Sequence, residues 1–185
     1  MFLSWYIIKK KILVNYKRYL KTQLYLYYTR GARYQYEKVF PIDIATSLHQ
    51  LSSFVCDKDF MIIAKHRFSL GQTLFYCYDN NVIVGYGWKV SRINQFYAWE
   101  IGNNIHFHQP VDVLYDFYVY PDYRRRGIYK SILRFIANTS IENVLMVIYA
   151  ETANDPSNTA IRECGFHLVK TINFVSSHRI ISLFP

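Results

Sequence analysis

Cysteine is scarce in this chain of 185 residues, and long apolar runs are missing from it. The three cysteines, Cys56, Cys77 and Cys164, have no paired spacing, which argues against a disulfide scaffold and against a zinc ribbon. The apolar residues 1–8 end at Lys9, whereas a spanning helix needs ~20 apolar residues and a secretory signal places its charges first. We therefore expect a cytoplasmic protein, and peripheral contact with the inner face of a membrane stays open.

Acidic residues are nearly absent from residues 1–40, where nine Lys or Arg stand against Glu37 alone. This segment carries +8 of the formal net charge of +9, so the rest of the chain is almost neutral. A groove for a phosphate backbone would distribute basic side chains over the folded body, so nucleic acid is not an expected partner. The content of 51% hydrophobic and 19% charged residues is typical of a globular chain.

The basic segment has the pattern of an amphipathic helix from Trp5 to Tyr27, with apolar and aromatic side chains on one arc and most lysines on the other. Residues 1–30 hold seven Lys or Arg and no acid, interleaved with Trp and Tyr, a composition that favours an anionic membrane surface. We expect a basic aromatic arm over residues 1–33, held in the plane of such a surface. The alternatives are that the arm packs on the body of the protein or pairs with a second copy in a homodimer.

The rest of the chain, residues 34–185, alternates between strand and helix patterns and predicts one domain. The predicted helices are Ile42–Phe54, Asp59–Ser69, Gly127–Asn138 and Pro156–Cys164. The predicted strands are Tyr34–Phe40, Thr73–Tyr78, Val82–Ser91, Gln95–Gly102, Val111–Tyr120, Val144–Ala150, Phe166–Phe174 and His178–Phe184. Residues Asp79–Asn81 have the composition of a hairpin turn. Antiparallel strands followed by strand–helix–strand predict an α/β (α+β) fold with a mixed, mostly antiparallel sheet.

The most informative stretch is an arginine-rich loop between a predicted strand and a predicted helix. It reads Tyr123-Arg124-Arg125-Arg126-Gly127-Ile128-Tyr129-Lys130. Exposed amides at a helix N-terminus, the helix dipole and flanking cations together form an anion site, and a glycine there allows close backbone approach. The alternative is a solvated basic turn before an ordinary helix.

A family resemblance favours the anion site. Tyr123-Arg124-x-x-Gly127-Ile128 resembles motif A of the GNAT N-acetyltransferase superfamily, and Asn154-x-x-Ser157 with Gly165-Phe166 has the spacing of its second motif. The resemblance implies a GNAT-like fold and an acyl-CoA-dependent N-acyltransferase, most simply one that moves acetyl from acetyl-CoA to a small primary amine. It implies that coenzyme A lies on a set of residues near the loop: Phe117, Tyr118, Val119, Arg124, Arg125, Arg126, Gly127, Ile128, Tyr129, Lys130, Asn154 and Ser157.

Two positions depart from the family pattern. Tyr129 replaces the last small residue of motif A, and Ile161 stands where many relatives carry a tyrosine that protonates the departing thiolate. One alternative is therefore a long-chain N-acyltransferase that uses acyl-CoA or acyl carrier protein. Another is a catalytically degenerate GNAT domain that binds a cofactor or partner. The acceptor carries no motif, and an amino sugar or a lipid-linked intermediate near the membrane are the candidates.

Asp116 is the first candidate for the general base, because an acid inside an aromatic strand is costly unless it is paired or useful. A period of two predicts that Asp116, Tyr118 and Tyr120 share one face of the strand, and that Tyr115, Phe117 and Val119 share the other. Glu100 is the second candidate for the same reason, and a structural acid is the alternative for both. His106, His108 and Asp112 are too weak a set to predict a metal site, so no metal is expected.

Overall fold

The computed structural model describes residues 22–29, 40–140 and 144–173. Within them the strands are β1 (Gln23–Thr29), β2 (Ile42–Ala45), β3 (Thr73–Asp79), β4 (Val82–Ala98), β5 (Asn103–Val119), β6 (Met146–Glu151) and β7 (His167–Asn173). The helices are α1 (Lys58–Ser69), α2 (Ile128–Thr139) and α3 (Asp155–Glu163), and short 3₁₀ turns cover Leu48–Leu51 and Pro121–Tyr123. None of the helices in these residues has the length and apolar character needed to cross a membrane.

The described strands form one sheet in the order β2-β3-β4-β5-β6-β1-β7. Neighbouring strands are antiparallel except for β5 and β6, which run parallel. The connection from β5 to β6 includes α2, as a parallel pair requires a crossover. The predicted mixed, mostly antiparallel α/β architecture is therefore confirmed.

Helices cover both faces of the sheet. Leu114 and the next residue on β5, Tyr115, point to opposite faces. Leu114 packs in a core with α2 and α3, whose buried apolar residues recur at helical spacing, namely Ile128, Ile132, Leu133, Ile136 and Ile161. Tyr115 packs in a second core, beneath Phe60 and Ala64 of α1. Cys164 is buried in the first core, as expected of a packing cysteine.

Local turn signals place the hairpin between β3 and β4 where the sequence predicts it. Asn80 and Asn81 both have positive φ, 46° and 63°, the backbone of a two-residue hairpin turn. The predicted strand Gln95–Gly102 is wrong at its end, because β4 stops at Ala98 and the chain turns through residues 99–102. Glu100 consequently lies in a turn between two long strands.

The predicted helix Ile42–Phe54 is wrong. Ile42 and Ala45 are buried by pairing with β3, and the next residues form only a short 3₁₀ turn. The Gln50 side chain accepts hydrogen bonds from the Thr46 and Ser47 amides, at 2.7 and 3.1 Å. These bonds fix a capped turn, and tertiary pairing overrides the helical pattern of this segment.

The predicted amphipathic helix Trp5–Tyr27 is wrong over Gln23–Tyr27, which belongs to β1, and its residues 5–21 lie outside the described part of the chain. β1 lies between β6 and β7, where Leu24, Leu26 and Tyr27 are fully buried. The position at which an arm gives way to the domain stays a prediction, because residues 30–39 are not among those described. For the same reason the predicted strand His178–Phe184 and most of Tyr34–Phe40 lie outside the described residues.

Candidate active site

The sheet opens between β5 and β6. These strands pair only over three residues each, Asp112–Leu114 with Met146–Ile148, and the described residues beyond Leu114 and Ile148 have no further register pairs with each other. β5 carries a bulge at this point, because Asp116 adopts a φ of 51° and the pairing with β4 shifts register opposite Gly87. A bulge bends its strand, so β5 turns away from β6 and leaves a gap.

The bulge breaks the alternation that the sequence predicts for β5. Tyr115 packs under α1, and Tyr118 contacts Tyr86 on that same side, with 5.9 Å between ring centroids. Phe117 and Val119 pack on the core of α2 and α3 instead. The prediction that Tyr115 shares a face with Phe117 and Val119 is therefore wrong, because the extra residue shifts the phase of every side chain after Asp116.

Backbone direction after the bulge aims two amides at the gap. The Tyr120 amide donates to the Val84 carbonyl of β4 at 3.0 Å, and Tyr118 pairs with Tyr86 in the same register. Backbone groups of successive strand residues point to opposite sides. The N–H groups of Phe117 and Val119 consequently point away from β4 and into the gap, whereas that of Tyr118 is directed at β4.

The arginine-rich loop lies at the end of β5 and leads directly into α2. Gly127 is the N-cap of the helix with a φ of 77°, a left-handed conformation that glycine adopts without strain. The first-turn amides of Ile128, Tyr129 and Lys130 have no carbonyl of their own helix to bond, so they are available to an anion. The Arg124 Nε donates to the Val119 carbonyl at 3.0 Å, which fixes the loop on the end of β5.

The remaining cations of the loop differ in how they are held. The Arg126 guanidinium lies 5.1 Å from the centre of the Tyr123 ring, and Lys130 pairs with Glu163 of α3 at 3.1 Å. The Arg125 side chain is exposed at the edge of the loop. The loop therefore presents positive charge together with free helix amides, the donor set that suits a diphosphate.

A groove of about 580 Å³ connects this loop with β5 and the start of α3. Its lining contains every predicted cofactor-binding residue except Arg126: Phe117, Tyr118, Val119, Arg124, Arg125, Gly127, Ile128, Tyr129, Lys130, Asn154 and Ser157. The Asn154 Oδ1 accepts from the Ser157 amide at 3.2 Å, so this side chain caps α3. The sequence motifs thus meet along one groove.

Tyr129 fills space in the wall of this groove. Its ring packs edge-to-face on Phe117 at 5.3 Å, and its hydroxyl interacts with Ser157. Burial raises the pKa of the Tyr129 hydroxyl, which stays protonated at neutral pH. The Tyr129 side chain, which replaces the small residue of the family pattern, therefore joins β5 to α3 across the groove. Ile161, the other departure, is fully buried in the core of α2 and α3.

Glu100 lies beside Tyr149, the first residue of β6 beyond its pairing with β5. Burial is the main cause that raises the pKa of Glu100, and the charges of Glu151 and Asp116 add to it. The Tyr149 hydroxyl is hydrogen-bonded to this carboxylate, while the Oε2 atom is buried without a hydrogen-bond partner among the described residues. A desolvated carboxylate of this kind is a candidate proton acceptor.

Asp116 has a different environment. Its Oδ2 forms an ion pair with Arg67 of α1 at 2.5 Å, and 43% of the Asp116 side chain is exposed. The Arg67 guanidinium also lies 4.9 Å from the centre of the Tyr115 ring and 5.0 Å from that of Trp88. The partner that an acid in an aromatic strand requires is therefore Arg67.

Sequence reasoning missed Arg67 and Tyr149. Arg67 gave no local signal, because it ends an ordinary helix and meets Asp116 across 49 residues of chain. Tyr149 places a hydroxyl near the end of the otherwise apolar run Met146–Ala150, and this polar group is a signal from which the sequence could have predicted a site residue.

His106, His108 and Asp112 are all on β5, but Asp112 is otherwise engaged. It accepts from the Arg92 amide at 3.0 Å and pairs with Lys89 at 3.4 Å. Over the part of the chain that the structure describes, no three His, Cys, Asp or Glu side chains are grouped to hold a metal ion.

The parallel strands β5 and β6 splay apart beside an anion-binding loop, which is the architecture of an acetyltransferase. A family model described as the acetyltransferase (GNAT) family matches residues 42–166, so the chain belongs to the GNAT acetyltransferase family. No curated protein matches the sequence.

Solved structures agree on the fold. A GNAT-family acetyltransferase from Colwellia psychrerythraea is 17% identical with a TM-score of 0.53, and the match covers 80% of this chain and 53% of that one. A GNAT-family protein from Novosphingobium aromaticivorans is 11% identical with a TM-score of 0.55, covering 81% and 61%. A conserved protein of unknown function from Staphylococcus epidermidis is 14% identical with a TM-score of 0.52, covering 87% and 64%. The chain thus spans roughly half to two thirds of the length of these structures.

Proposed function

We propose that the protein is an acetyl-CoA-dependent N-acetyltransferase that acts on a primary amine. The observation that carries the proposal is the continuity of the site. A groove that starts at the Arg124–Lys130 loop passes along Phe117 and Val119, whose amides point into the gap between β5 and β6. A half-buried carboxylate, Glu100, is held by Tyr149 on the strand that borders the same gap.

The loop would hold the substrate by its diphosphate. Amides of Ile128, Tyr129 and Lys130 at the start of α2, with the exposed Arg125, match the charge and the acceptor oxygens of that group. Acetyl-CoA supplies the acetyl group as a thioester: the amine nitrogen would bond to the carbonyl carbon, the C–S bond would break, and coenzyme A would leave as its thiolate. No side chain near the gap is required to form a covalent intermediate, which agrees with the burial of Cys164 in the core.

The amides of Phe117 and Val119 would polarise the carbonyl. Preorganised backbone donors aimed at a developing negative charge lower the barrier, because they need no reorganisation during the reaction. The bulge at Asp116 is what supports this role. Without the register shift the amides that face the gap would be the other set along β5.

Glu100 is the base that we assign in preference to Asp116. A general base is most effective when its pKa lies near the working pH, and burial moves the pKa of Glu100 upward from its ordinary value. Tyr149 would orient the carboxylate toward the ammonium group of the acceptor. Asp116 is already engaged in an ion pair with Arg67, so it is better suited to positioning β5 than to accepting a proton.

A short acyl group is favoured by the packing of Tyr129. Its ring and that of Phe117 meet across the groove, which leaves less room than the long-chain alternative needs. A thiol-release assay over acetyl-, butyryl- and octanoyl-CoA with a panel of amines tests this. We expect acetyl-CoA to react fastest, and Tyr129→Ala to shift the preference toward longer chains because it opens the wall.

Ser157→Ala is the matched control, since it removes the partner of the Tyr129 hydroxyl without opening the wall. It is expected to leave the chain-length preference unchanged. Fastest reaction with octanoyl-CoA in the unmodified protein would replace the acetyl assignment with the long-chain one. Coenzyme A binding without thiol release for any amine would support the degenerate binding domain instead.

A further inference from the structure

A second groove, of about 650 Å³, lies on the α1 face of the sheet, opposite the face covered by α2 and α3. It runs between the exposed side of α1 and the outer half of β4. Its walls include Ile62 from α1, Leu70 at the C-cap of that helix, Phe96 and Tyr97 from β4, and Trp99 from the turn after β4. Tyr115 of β5 also lines it, beside the gap.

This groove concentrates the exposed apolar surface of the described residues. Five of the nine large hydrophobic side chains that are exposed there belong to it, including Trp99 at 73% exposure and Ile62 at 60%. The rings of Tyr97 and Trp99 are in edge-to-face contact at 4.8 Å. Single exposed apolar residues need no explanation, but a contiguous set lining a concave surface indicates a binding site.

The inner end of the groove reaches the candidate reaction centre. Phe96, which lines the groove, packs on Tyr149 with 5.8 Å between ring centroids, and Tyr149 is hydrogen-bonded to Glu100. Tyr115 also packs on Phe96, at 4.9 Å. Arg67, which also lines the groove, forms the ion pair with Asp116. The Glu100 carboxylate therefore lies behind the inner end, where an ammonium group would be attracted, whereas Asp116 is already paired with Arg67 and the outer end is apolar.

The charge of the lining argues against a polar, multiply charged acceptor. None of the described residues that line this groove is Asp or Glu, and its basic members are Arg67 and His66. A polyamine or a polyamino sugar would bring several ammonium groups to a wall that offers them no counter-charge. A single ammonium group carried on an apolar ring fits both ends of the groove.

We propose that this groove binds the acceptor, and that the acceptor is a primary monoamine on an apolar, ring-bearing body. This inference rests on the proposed function, because the ring would lie against Trp99, Tyr97 and Ile62 while the amine reaches Glu100. An amino sugar, one of the acceptors considered from the sequence, is disfavoured by the same surface.

The test is equilibrium binding of phenethylamine, spermidine and glucosamine to the full chain, with and without coenzyme A, followed by calorimetry. We expect phenethylamine to bind at least about tenfold more tightly than the other two amines. Trp99→Ala is expected to weaken phenethylamine about tenfold and to leave coenzyme A affinity unchanged, since Trp99 does not line the coenzyme A groove. Ile62→Glu is expected to weaken phenethylamine and to strengthen spermidine.

Leu168→Ala is the matched control, because Leu168 is an exposed leucine of β7 outside both grooves. It should alter none of these affinities. The inference would be overturned if spermidine or glucosamine bound as tightly as phenethylamine or more tightly, or if phenethylamine did not bind. It would also be overturned if Leu168→Ala and Trp99→Ala had equal effects. A protein that binds phenethylamine but not coenzyme A would instead contradict the proposed function, so the two failures are separable.

Discussion

Glu100 and Asp116 both lie near the opening of the sheet, and their surroundings predict different roles. We expect Glu100→Gln to lower kcat by ~100–10,000-fold, the range for loss of a general base. The rate of the unmodified enzyme should fall on the acid side through a midpoint above 4.5, because the pKa of Glu100 is raised from that value and only the ionised form accepts a proton. A pH–rate profile measures this, and Glu100→Gln should remove that limb.

The thermal stability of Glu100→Gln is an independent test of the role assigned to Glu100. Because folding raises the pKa of this carboxyl, its protonated form stabilises the folded state at low pH. That contribution to stability is lost as pH rises through the folded-state pKa. Glu100→Gln removes a half-buried, partly desolvated charge, so its Tm at neutral pH should be equal to or above that of the unmodified protein. Asp116→Asn is the control, since asparagine also tolerates the φ of 51°. A larger loss of kcat in Asp116→Asn than in Glu100→Gln would reverse the assignment of the base.

Gly87 is the residue that makes room for the bulge. A Cβ atom at this position would lie 2.2 Å from Cε1 of the Phe117 ring, well inside contact distance. We expect Gly87→Ala to displace Phe117 and to cost about 1–3 kcal/mol of unfolding free energy together with most of the acyl-transfer rate. Thermal unfolding and the thiol-release assay measure the two effects.

Gly71→Ala serves as the comparison for Gly87→Ala. A Cβ at Gly71 meets nothing within 4 Å, but its φ of +71° makes any side chain strained. This variant should lose stability and keep the transfer rate. If Gly87→Ala kept the rate as well, the position of the Phe117 ring and amide would be irrelevant to transfer.

At the scale of elements, local signals predicted part of the fold and long-range pairing decided the rest. Local signals mark the loop and α2, where a glycine precedes an apolar helical period. They also mark the β3–β4 hairpin, where Asn80-Asn81 form the turn. The strand β1 was misread as helix because its leucines and tyrosines fit either period, and pairing with β6 and β7 decided it. No local pattern predicts that Arg67 meets Asp116 or that Tyr149 meets Glu100, because the sheet order brings them together.

The strand β1 also changes how the basic arm must be tested. Residues 1–21 keep six Lys or Arg and no acid, whereas Tyr25, Tyr27 and Tyr28 are now part of the sheet. We propose that residues 1–21 hold the protein on an anionic membrane surface, where each basic side chain contributes ~1 kcal/mol. The full chain should sediment with anionic vesicles at low salt, and a chain starting at Thr22 should remain folded in the supernatant.

A chain starting at Gly31 is the informative contrast, because it lacks β1, the strand that joins β6 to β7 in the sheet. It should unfold, as judged by loss of its cooperative thermal transition, whatever the arm does. Equal sedimentation of the full chain and the chain starting at Thr22 would contradict the membrane proposal. A change of mass on removing residues 1–21 would support pairing of two copies instead.

At the scale of the whole molecule, two grooves approach one gap from opposite faces of the sheet. The groove beside α2 presents amides and arginines, and the groove beside α1 presents rings and aliphatic side chains. β5 separates them, and its bulge determines which amides and side chains each groove receives. In the proposed function, this arrangement would let a thioester and an amine meet between β5 and β6 without a covalent enzyme intermediate.

The central claim is that the Arg124–Lys130 loop binds acetyl-CoA, and calorimetry of the full chain tests it most directly. Gly127→Glu places a negative side chain at the helix N-terminus, and Gly127→Ala adds only the strain of a Cβ at a φ of 77°. We predict saturable acetyl-CoA binding to the unmodified protein, a modest loss in Gly127→Ala, and no measurable binding in Gly127→Glu with its thermal transition retained. Acetyl-CoA affinity that is unchanged in a folded Gly127→Glu protein would contradict the account.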